Sequence, residues 1–179
     1  MSRWRPIAVL AALTGGLACA SVAQAASLEY PVKAAFLYKF GSFVDWPAPA
    51  FEGPSAPVVV CVLGRDPFGA QLDQLVRDAT IGGRGVSIRR LSRVGPASGC
   101  HILYVGGAAT QPAAEGLRAV AGAPVLTVTD EAQGGPKGVV HFVVRQNRVR
   151  FEIDEAAAAR NGLQVSSKLL NLAVAVRPR

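Results

Sequence analysis

The chain has 179 residues and a formal net charge of +7, from 19 Lys and Arg against 12 Asp and Glu. Half of its residues are apolar and 17% are charged, a composition that excludes a disordered chain, a collagen and a disulfide-dense mini-protein. The length allows one substantial core and is short for two. We therefore expect a single compact, mildly basic globular domain.

The first 25 residues have the pattern of a secretion signal. Two arginines precede an apolar stretch, and the Ala-Gln-Ala sequence at residues 23–25 is a small-x-small cleavage sequence. The apolar stretch is shorter than the roughly 20 residues of a membrane-spanning helix, and Cys19 lacks the preceding residues of a typical lipidation site. We expect residues 1–25 to be removed, residues 26–179 to form one domain, and the bacterial periplasm to be the destination.

The first predicted helix begins at Pro31 and ends at residue 46, because a residue before proline disfavours helical dihedral angles. Apolar residues recur along it at intervals of four and three, in a stripe formed by Val32, Phe36, Phe40 and Phe43. Lys33 lies off this stripe, as do Lys39 and Asp45. The pattern predicts an amphipathic helix with its charged residues away from the core.

Strand and helix patterns then alternate. Residues 58–63 are a continuous, mostly β-branched run, typical of a strand covered on both faces, and a helix with Leu72, Leu75 and Val76 on one side follows. The next patterns are a less buried strand over 86–91, a buried strand over 100–105, a short helix over 113–120 and a third buried strand over 124–128. This alternation predicts an α/β fold with a mixed, mostly parallel central sheet flanked by helices.

The last third of the chain has a different pattern. Residues 139–144 and 149–153 flank Gln146-Asn147 and predict a β-hairpin whose second strand is half exposed near the sheet edge. Asp154 is placed to cap a helix over 155–160. Residues Leu163 to Val176 are predicted to form an amphipathic C-terminal helix. The expected fold is thus a single α/β domain that ends in a β-hairpin and helix.

The sequence carries no familiar catalytic motif. His101 and His141 each lie in an apolar strand, where a single histidine is usually structural. No H-E-x-x-H, G-x-S-x-G or P-loop pattern occurs, and the cysteines are not spaced as metal ligands. The loop at residues 64–69 could dock an anion on free N–H groups, but Asp66 there is better explained as a helix cap. We expect no enzyme activity, no cofactor and no metal.

Two arginine clusters, at residues 89–93 and 145–150, raise the question of an acidic partner. They lack the interleaved aromatic residues of nucleic-acid binders, so we expect no nucleic acid. A solvated face explains them, with an acidic protein surface or anionic lipid as the alternative.

Cys61 and Cys100 remain after removal of the signal, and each lies at an apolar, strand-like segment. In an oxidising compartment they could form a disulfide that stabilises the domain by roughly 4 kcal/mol. They could also be two buried thiols that pack as small apolar groups.

Five segments, in order, resemble the YfiR family of small periplasmic proteins. They are VKAAFLYKF to VDWP at residues 32–47, CVLGRDPFG at 61–69, CHILYV at 100–105, PVLTVTD at 124–130, and NRVRFEI continuing to GLQVSSKLL at 147–170. Each segment alone is a weak signal, but the ordered set covers nearly all of the chain after the signal.

The resemblance implies an α/β fold with a mixed central sheet and a regulatory, non-enzymatic function. The best-understood members bind the periplasmic part of an inner-membrane diguanylate cyclase and hold it inactive. An outer-membrane lipoprotein can sequester the repressor, and dimers are described. Cys61 and Cys100 match a family cysteine pair that can be oxidised to a disulfide, whereas the family's second pair has no counterpart here.

The leading hypothesis is therefore a periplasmic repressor of an inner-membrane diguanylate cyclase, which lowers cyclic di-GMP and biofilm formation. In it, Lys168, Leu169 and Leu170 could supply an apolar contact to the partner, unless they pack in the core. The alternative is a periplasmic small-ligand-binding protein without catalytic activity, with a crevice at the carboxyl ends of the strands near Gly64 or Gly106. An enzyme with an unrecognised site is the third hypothesis.

Overall fold

The structure is a computed structural model that describes residues 20–179, with side chains from residue 28 onward. Of the predicted signal at residues 1–25, residues 1–19 lie outside the described residues. In the described chain no helix combines the length and hydropathy needed to cross a bilayer.

Five α-helices and ten strands make up the described chain. The helices are α1 (Ala20–Lys39), α2 (Ala70–Val76), α3 (Ala113–Ala119), α4 (Glu155–Arg160) and α5 (Ser167–Leu170). The strands are β1 (Val44–Asp45), β2 (Val58–Gly64), β3 (Thr80–Ile81), β4 (Arg84–Leu91), β5 (Ile102–Gly107), β6 (Leu126–Asp130), β7 (Val140–Arg145), β8 (Arg148–Asp154), β9 (Gln164–Val165) and β10 (Ala175–Arg177). Short 3₁₀ turns lie at Phe40–Phe43, Ala48–Ala50, Pro96–Ser98 and Glu131–Gln133.

Eight of the strands form one curled sheet in the order β10-β8-β7-β6-β5-β2-β4-β3. Its pairs are parallel except for the β7–β8 hairpin and the β3–β4 pair at one edge. The remaining strands, β1 and β9, form a small antiparallel pair of their own. The predicted single α/β domain with a mixed, mostly parallel sheet is confirmed.

The core occupies both faces of this sheet, because side chains alternate along each strand. On one face, Val60 and Tyr104 belong to the larger apolar cluster, which also includes Leu37 and Phe40 from the first helical segment. On the other face, Leu63 and Leu103 belong to a smaller cluster packed against α3. Burial on both faces explains why β2 and β5 are continuous apolar runs in the sequence.

The hairpin and its following helix form as predicted. Gln146 and Asn147 both have positive φ, 51° and 58°, as a two-residue type I′ turn requires, so β7 and β8 pair directly. The Asp154 carboxylate then accepts a 2.7 Å hydrogen bond from the Ala157 N–H at the start of α4. Each of these local residues specifies its own turn or cap.

The first helix differs from the prediction at both ends. It is already helical at Ala20 and ends at Lys39, where a 3₁₀ turn leads into β1 rather than continuing to residue 46. The reason is tertiary pairing, since Val44 lies opposite Val165 in the β1–β9 pair. The buried stripe is also rotated: Val32 is 40% exposed, whereas Ala34 is fully buried.

The predicted helix from Leu163 to Val176 is wrong. This segment contains β9, the short α5 and β10, joined by turns. After α5 the chain leaves the helix to pair with the sheet edge, where the Val174 N–H donates to the Phe151 carbonyl at 2.9 Å. Pairing with β8 outweighs the helical spacing of the apolar residues.

Candidate functional site

The two cysteines are joined in a disulfide. Cys61 lies in β2 and Cys100 lies just before β5, with 5.7 Å between their Cα atoms. Both are buried in the smaller apolar cluster. The bond fastens two adjacent strands at the centre of the sheet, and its loop of about 40 residues includes α2, β3 and β4. Of the two states left open by the residues, the structure has the disulfide.

The least expected feature is a fully buried ion pair between Lys33 of α1 and Asp130 at the end of β6. The Lys33 Nζ donates to the Asp130 carboxylate at 2.6 Å and to the Glu29 carboxylate at 2.5 Å. The side chains of Lys33 and Asp130 are both 0% exposed. Burial alone lowers the pKa of Lys33, but the hydrogen bonds and charges of Asp130 and Glu29 outweigh it and raise that pKa above its ordinary value.

Asp130 also holds two neighbouring elements. Its second carboxylate oxygen accepts a 3.0 Å hydrogen bond from the Ala132 N–H, which caps the 3₁₀ turn after β6. The Tyr104 hydroxyl of β5 donates across 3.4 Å to the other Asp130 oxygen, which also accepts from Lys33. Burial and the Asp130 charge raise the pKa of Tyr104, so its hydroxyl stays protonated and remains a donor.

This buried cluster therefore fixes α1 against the carboxyl ends of the central strands. The rings of Tyr30 and Phe142 flank the Lys33 ammonium at 5.1 and 5.9 Å. The two fully buried charges, those of Lys33 and Asp130, are opposite and hydrogen-bonded, as a buried ion pair requires, and the second carboxylate, that of Glu29, is partly exposed. Its chemistry is that of a structural clamp. The sequence contained one signal for it, since Asp130 closes a strand that is otherwise apolar or Thr and its charge needs a cation.

Both histidines have structural partners. The His101 Nδ1 accepts the Val59 N–H at 3.0 Å, and its Nε2 lies 3.0 Å from the Ala50 carbonyl, which assigns the proton to Nε2. The His141 Nδ1 lies 2.8 Å from the Thr129 hydroxyl. Burial lowers the pKa of each ring, so both are held neutral. Their geometry agrees with the structural role expected from their position in apolar strands.

The loop after β2 uses its N–H groups internally. The Asp66 carboxylate accepts the N–H groups of Phe68 and Gly69 at 2.8 and 3.2 Å and so holds the turn before α2. The prediction that Asp66 caps the helix itself is wrong, because α2 begins only at Ala70, after Gly69. The other Asp66 oxygen binds the Arg90 guanidinium at 2.7 Å. Because a carboxylate already occupies this position, the loop does not offer an anion site.

The crevice expected at the carboxyl ends of the strands is closed. A Cβ atom on Gly64 would lie 2.0 Å from the Gly107 carbonyl oxygen, and one on Gly106 would lie 2.2 Å from the Arg65 carbonyl oxygen. The Arg65 N–H donates to the Gly107 carbonyl at 3.1 Å. The two loops pack backbone against backbone, so the space that a ligand would need at Gly64 and Gly106 is filled. Over the described residues, no group of three or more His, Cys, Asp or Glu side chains could hold a metal ion.

The three residues considered for partner binding have different surroundings. They form most of α5, which the Ser166 side chain caps by accepting the Leu169 N–H at 3.4 Å. Leu169 is 2% exposed and belongs to the main core, so it does not form the surface contact considered for it. Leu170 is half-buried against that core, and Lys168 is exposed. Of the three, Lys168 and Leu170 are accessible to another protein.

An exposed apolar row follows directly. Leu172, Val174 and Val176 are 59%, 48% and 38% exposed, and they lie in and just before β10 at the edge of the sheet. Six large apolar side chains are exposed in the described part of the chain, and this segment holds three of them. This surface was not predicted, because the spacing of these residues predicted a helix. The alternation Leu172, Val174, Val176 was the available signal for an edge strand.

The fold and these sites define an α/β domain whose buried polar groups serve structure and which has a cluster of exposed apolar residues at one sheet edge. A family model described as YfiR/HmsC-like matches residues 30–174, and the chain belongs to this family. A comparison with curated proteins finds no match. The family is regulatory and non-catalytic, and membership supports a periplasmic regulator of a diguanylate cyclase as the general class. A disulfide in the core is consistent with that compartment.

Proposed function

We propose that this protein represses an inner-membrane diguanylate cyclase from the periplasm and thereby lowers cyclic di-GMP and biofilm formation. The observation that carries the proposal is the family match, which covers residues 30–174 in one continuous span. In this proposal residues 1–25 are a cleaved signal, and residues 26–179 act as a binding protein and not as an enzyme.

A repressor of this kind works by differential affinity. It shifts the cyclase toward the inactive conformation, and the size of the shift is set by the ratio of its affinities for the inactive and active conformations. A domain whose α1 is clamped by the Lys33–Asp130 pair and whose central strands are joined by a disulfide loses little conformational entropy on binding. These features support a rigid binding protein.

The contact with the cyclase includes the accessible part of α5, Lys168 and Leu170, with Leu169 as buried support. Removal of the signal takes Arg3 and Arg5, so the mature charge is 7 − 2 = +5. That charge favours an acidic partner surface. We further propose that an outer-membrane lipoprotein relieves repression by sequestering the protein, and that the protein can form a homodimer.

The test is the cellular level of cyclic di-GMP in the parent strain, in a strain lacking this gene, and in the deletion strain complemented in two ways. One complementing protein is exported, and the other lacks residues 1–25 and stays in the cytoplasm. We expect a rise on deletion that the exported protein reverses and the leaderless protein does not. An unchanged level on deletion, in cells that express the gene, would contradict the proposal.

A further inference from the structure

The strand β10 has one neighbour in the sheet and an open side. It pairs in parallel with β8, with Ala175 opposite Glu152 and Val176 opposite Ile153. The Val174 N–H points to β8, where it donates to the Phe151 carbonyl at 2.9 Å. In the β10–β8 register the backbone groups of Ala175 and Arg177 face β8, and because successive residues alternate in direction along a strand, the Val176 N–H points to the open side. The sheet therefore presents unpaired backbone groups at this edge.

The side chains at this edge are those of an interface. Val176 lies in β10, Val174 directly precedes it and Leu172 lies in the turn before them, so three exposed apolar side chains are concentrated at this edge strand and its approach. An exposed edge strand with apolar residues is a template for pairing with another chain. At the opposite edge, by comparison, β3 has two residues and turns back at once through Gly82 and Gly83.

The charge around β10 indicates the chemistry of the incoming chain. The acidic neighbours Asp154 and Glu155 are already paired with Arg177 and Arg179 at 3.3 and 3.0 Å. Both arginines remain more than half exposed, and Lys168 is exposed nearby in sequence. The accessible charge of this edge is positive, so it complements an acidic segment.

We propose that β10 receives an extended segment of the cyclase's periplasmic region as a ninth strand of the sheet. The segment has apolar side chains at alternate positions, which pack on the row Leu172, Val174 and Val176, and acidic side chains that meet the exposed cations. Main-chain hydrogen bonds provide affinity and the alternate side chains provide specificity, as in other strand-addition complexes. This inference rests on the proposed repression of a cyclase and locates its contact surface.

The sharpest variant is Val176→Pro. Proline removes the N–H that points to the open side and keeps an apolar side chain, and an edge strand tolerates it there because the bonds to β8 come from Ala175 and Arg177. Its matched control is Val176→Ile, which keeps both the N–H and an apolar side chain. A second pair, Leu172→Asp and Leu28→Asp, changes two leucines that are each 59% exposed, one beside β10 and one on α1.

The probe is the purified periplasmic region of the cyclase whose deletion abolishes the rise in cyclic di-GMP. Val176→Pro is expected to weaken binding about fivefold, since one backbone hydrogen bond is lost, and Leu172→Asp to weaken it about tenfold or more. Neither variant should lower cyclic di-GMP in the deletion strain as far as the wild type does. The two controls should bind and complement like the wild type. Circular dichroism and thermal unfolding confirm folding, and if Val176→Pro does not fold, the leucine pair carries the test.

The outcomes separate the two proposals. If the wild-type protein neither binds the probe nor lowers cyclic di-GMP, the proposed function fails. If the wild type does both and Val176→Pro and Leu172→Asp equal it, repression stands and the strand addition is overturned. Sedimentation that shows a wild-type dimer and a Val176→Pro monomer, with unchanged binding to the probe, would assign the edge to a second copy. Binding to vesicles of anionic phospholipid that is lost in Leu172→Asp, with unchanged binding to the probe, would assign it to a membrane surface.

Discussion

The buried pair of Lys33 and Asp130 gives the strongest stability prediction. Replacing Lys33 with Met removes the cation and leaves the carboxylate buried, with the Ala132 N–H at 3.0 Å and the Tyr104 hydroxyl at 3.4 Å as its donors. Both side chains of the pair are fully buried, so solvent cannot replace the lost partner. Removing one partner of such a pair lowers the free energy of unfolding by about 3–5 kcal/mol, and we expect a decrease of that size for Lys33→Met.

A double variant separates the orphaned charge from the lost packing. In Lys33→Met/Asp130→Asn the buried charge is gone, while the Asn side-chain oxygen can still cap the turn at Ala132. We expect its free energy of unfolding to be about 1–3 kcal/mol below that of the wild type, so the double variant is more stable than Lys33→Met. The surface control is Lys137→Met. Lys137 pairs with Glu152 but is 60% exposed, and we expect a change below about 1 kcal/mol.

The assay is urea unfolding of the mature protein at pH 7 with the disulfide intact, followed by circular dichroism and by the fluorescence of Trp46. A loss below about 1 kcal/mol, or a double variant less stable than Lys33→Met, would refute the reasoning that this pair is desolvated and matched.

Two further predictions concern the disulfide and the pH dependence. Cys61→Ala/Cys100→Ala should lower the free energy of unfolding by about 4 kcal/mol in urea, because the bond closes a loop of about 40 residues; an equal stability of reduced and oxidised protein would contradict this. Because burial lowers the native pKa of His101 and His141 below the unfolded value, their contribution is complete above about pH 6.5 and is lost as the pH falls below it. The free energy of unfolding, measured between pH 7 and 5, should fall by at most about 1.4 kcal/mol per pH unit for each histidine. The variant His101→Gln/His141→Gln should show a smaller dependence on pH. An unchanged pH dependence in this double variant would contradict the burial of two neutral histidines.

Local patterns predicted much of the fold. The β-branched run of residues 58–63 forms β2, and the alternation after Gln146-Asn147 forms β8. Asp154 caps its helix as its position suggests, whereas Asp66 holds the turn before its helix. These elements depend on residues within a few positions of one another. That is why the sequence alone was sufficient for them.

Long-range contacts explain what the sequence did not predict. Lys33 can be buried because Asp130, 97 positions away in the sequence, neutralises its charge. The helical spacing around Lys33 does not indicate that partner. The end of the first helix is set by pairing of Val44 with Val165. The segment after Leu170 has helical spacing of apolar residues, but a free sheet edge beside β8 draws it into a strand. The exposed row at β10 could be recognised only once that strand was in place.

The central claim is repression of a cyclase by direct contact, and the most direct measurement is enzymatic. The cyclase identified by the deletion experiment is placed in lipid nanodiscs, which leave its periplasmic and cytoplasmic sides accessible, and its conversion of GTP to cyclic di-GMP is followed as the mature protein is added. Repression by direct contact predicts a saturable fall in turnover, with a midpoint equal to the Kd of the complex. Unchanged turnover at concentrations where the complex is saturated would contradict it.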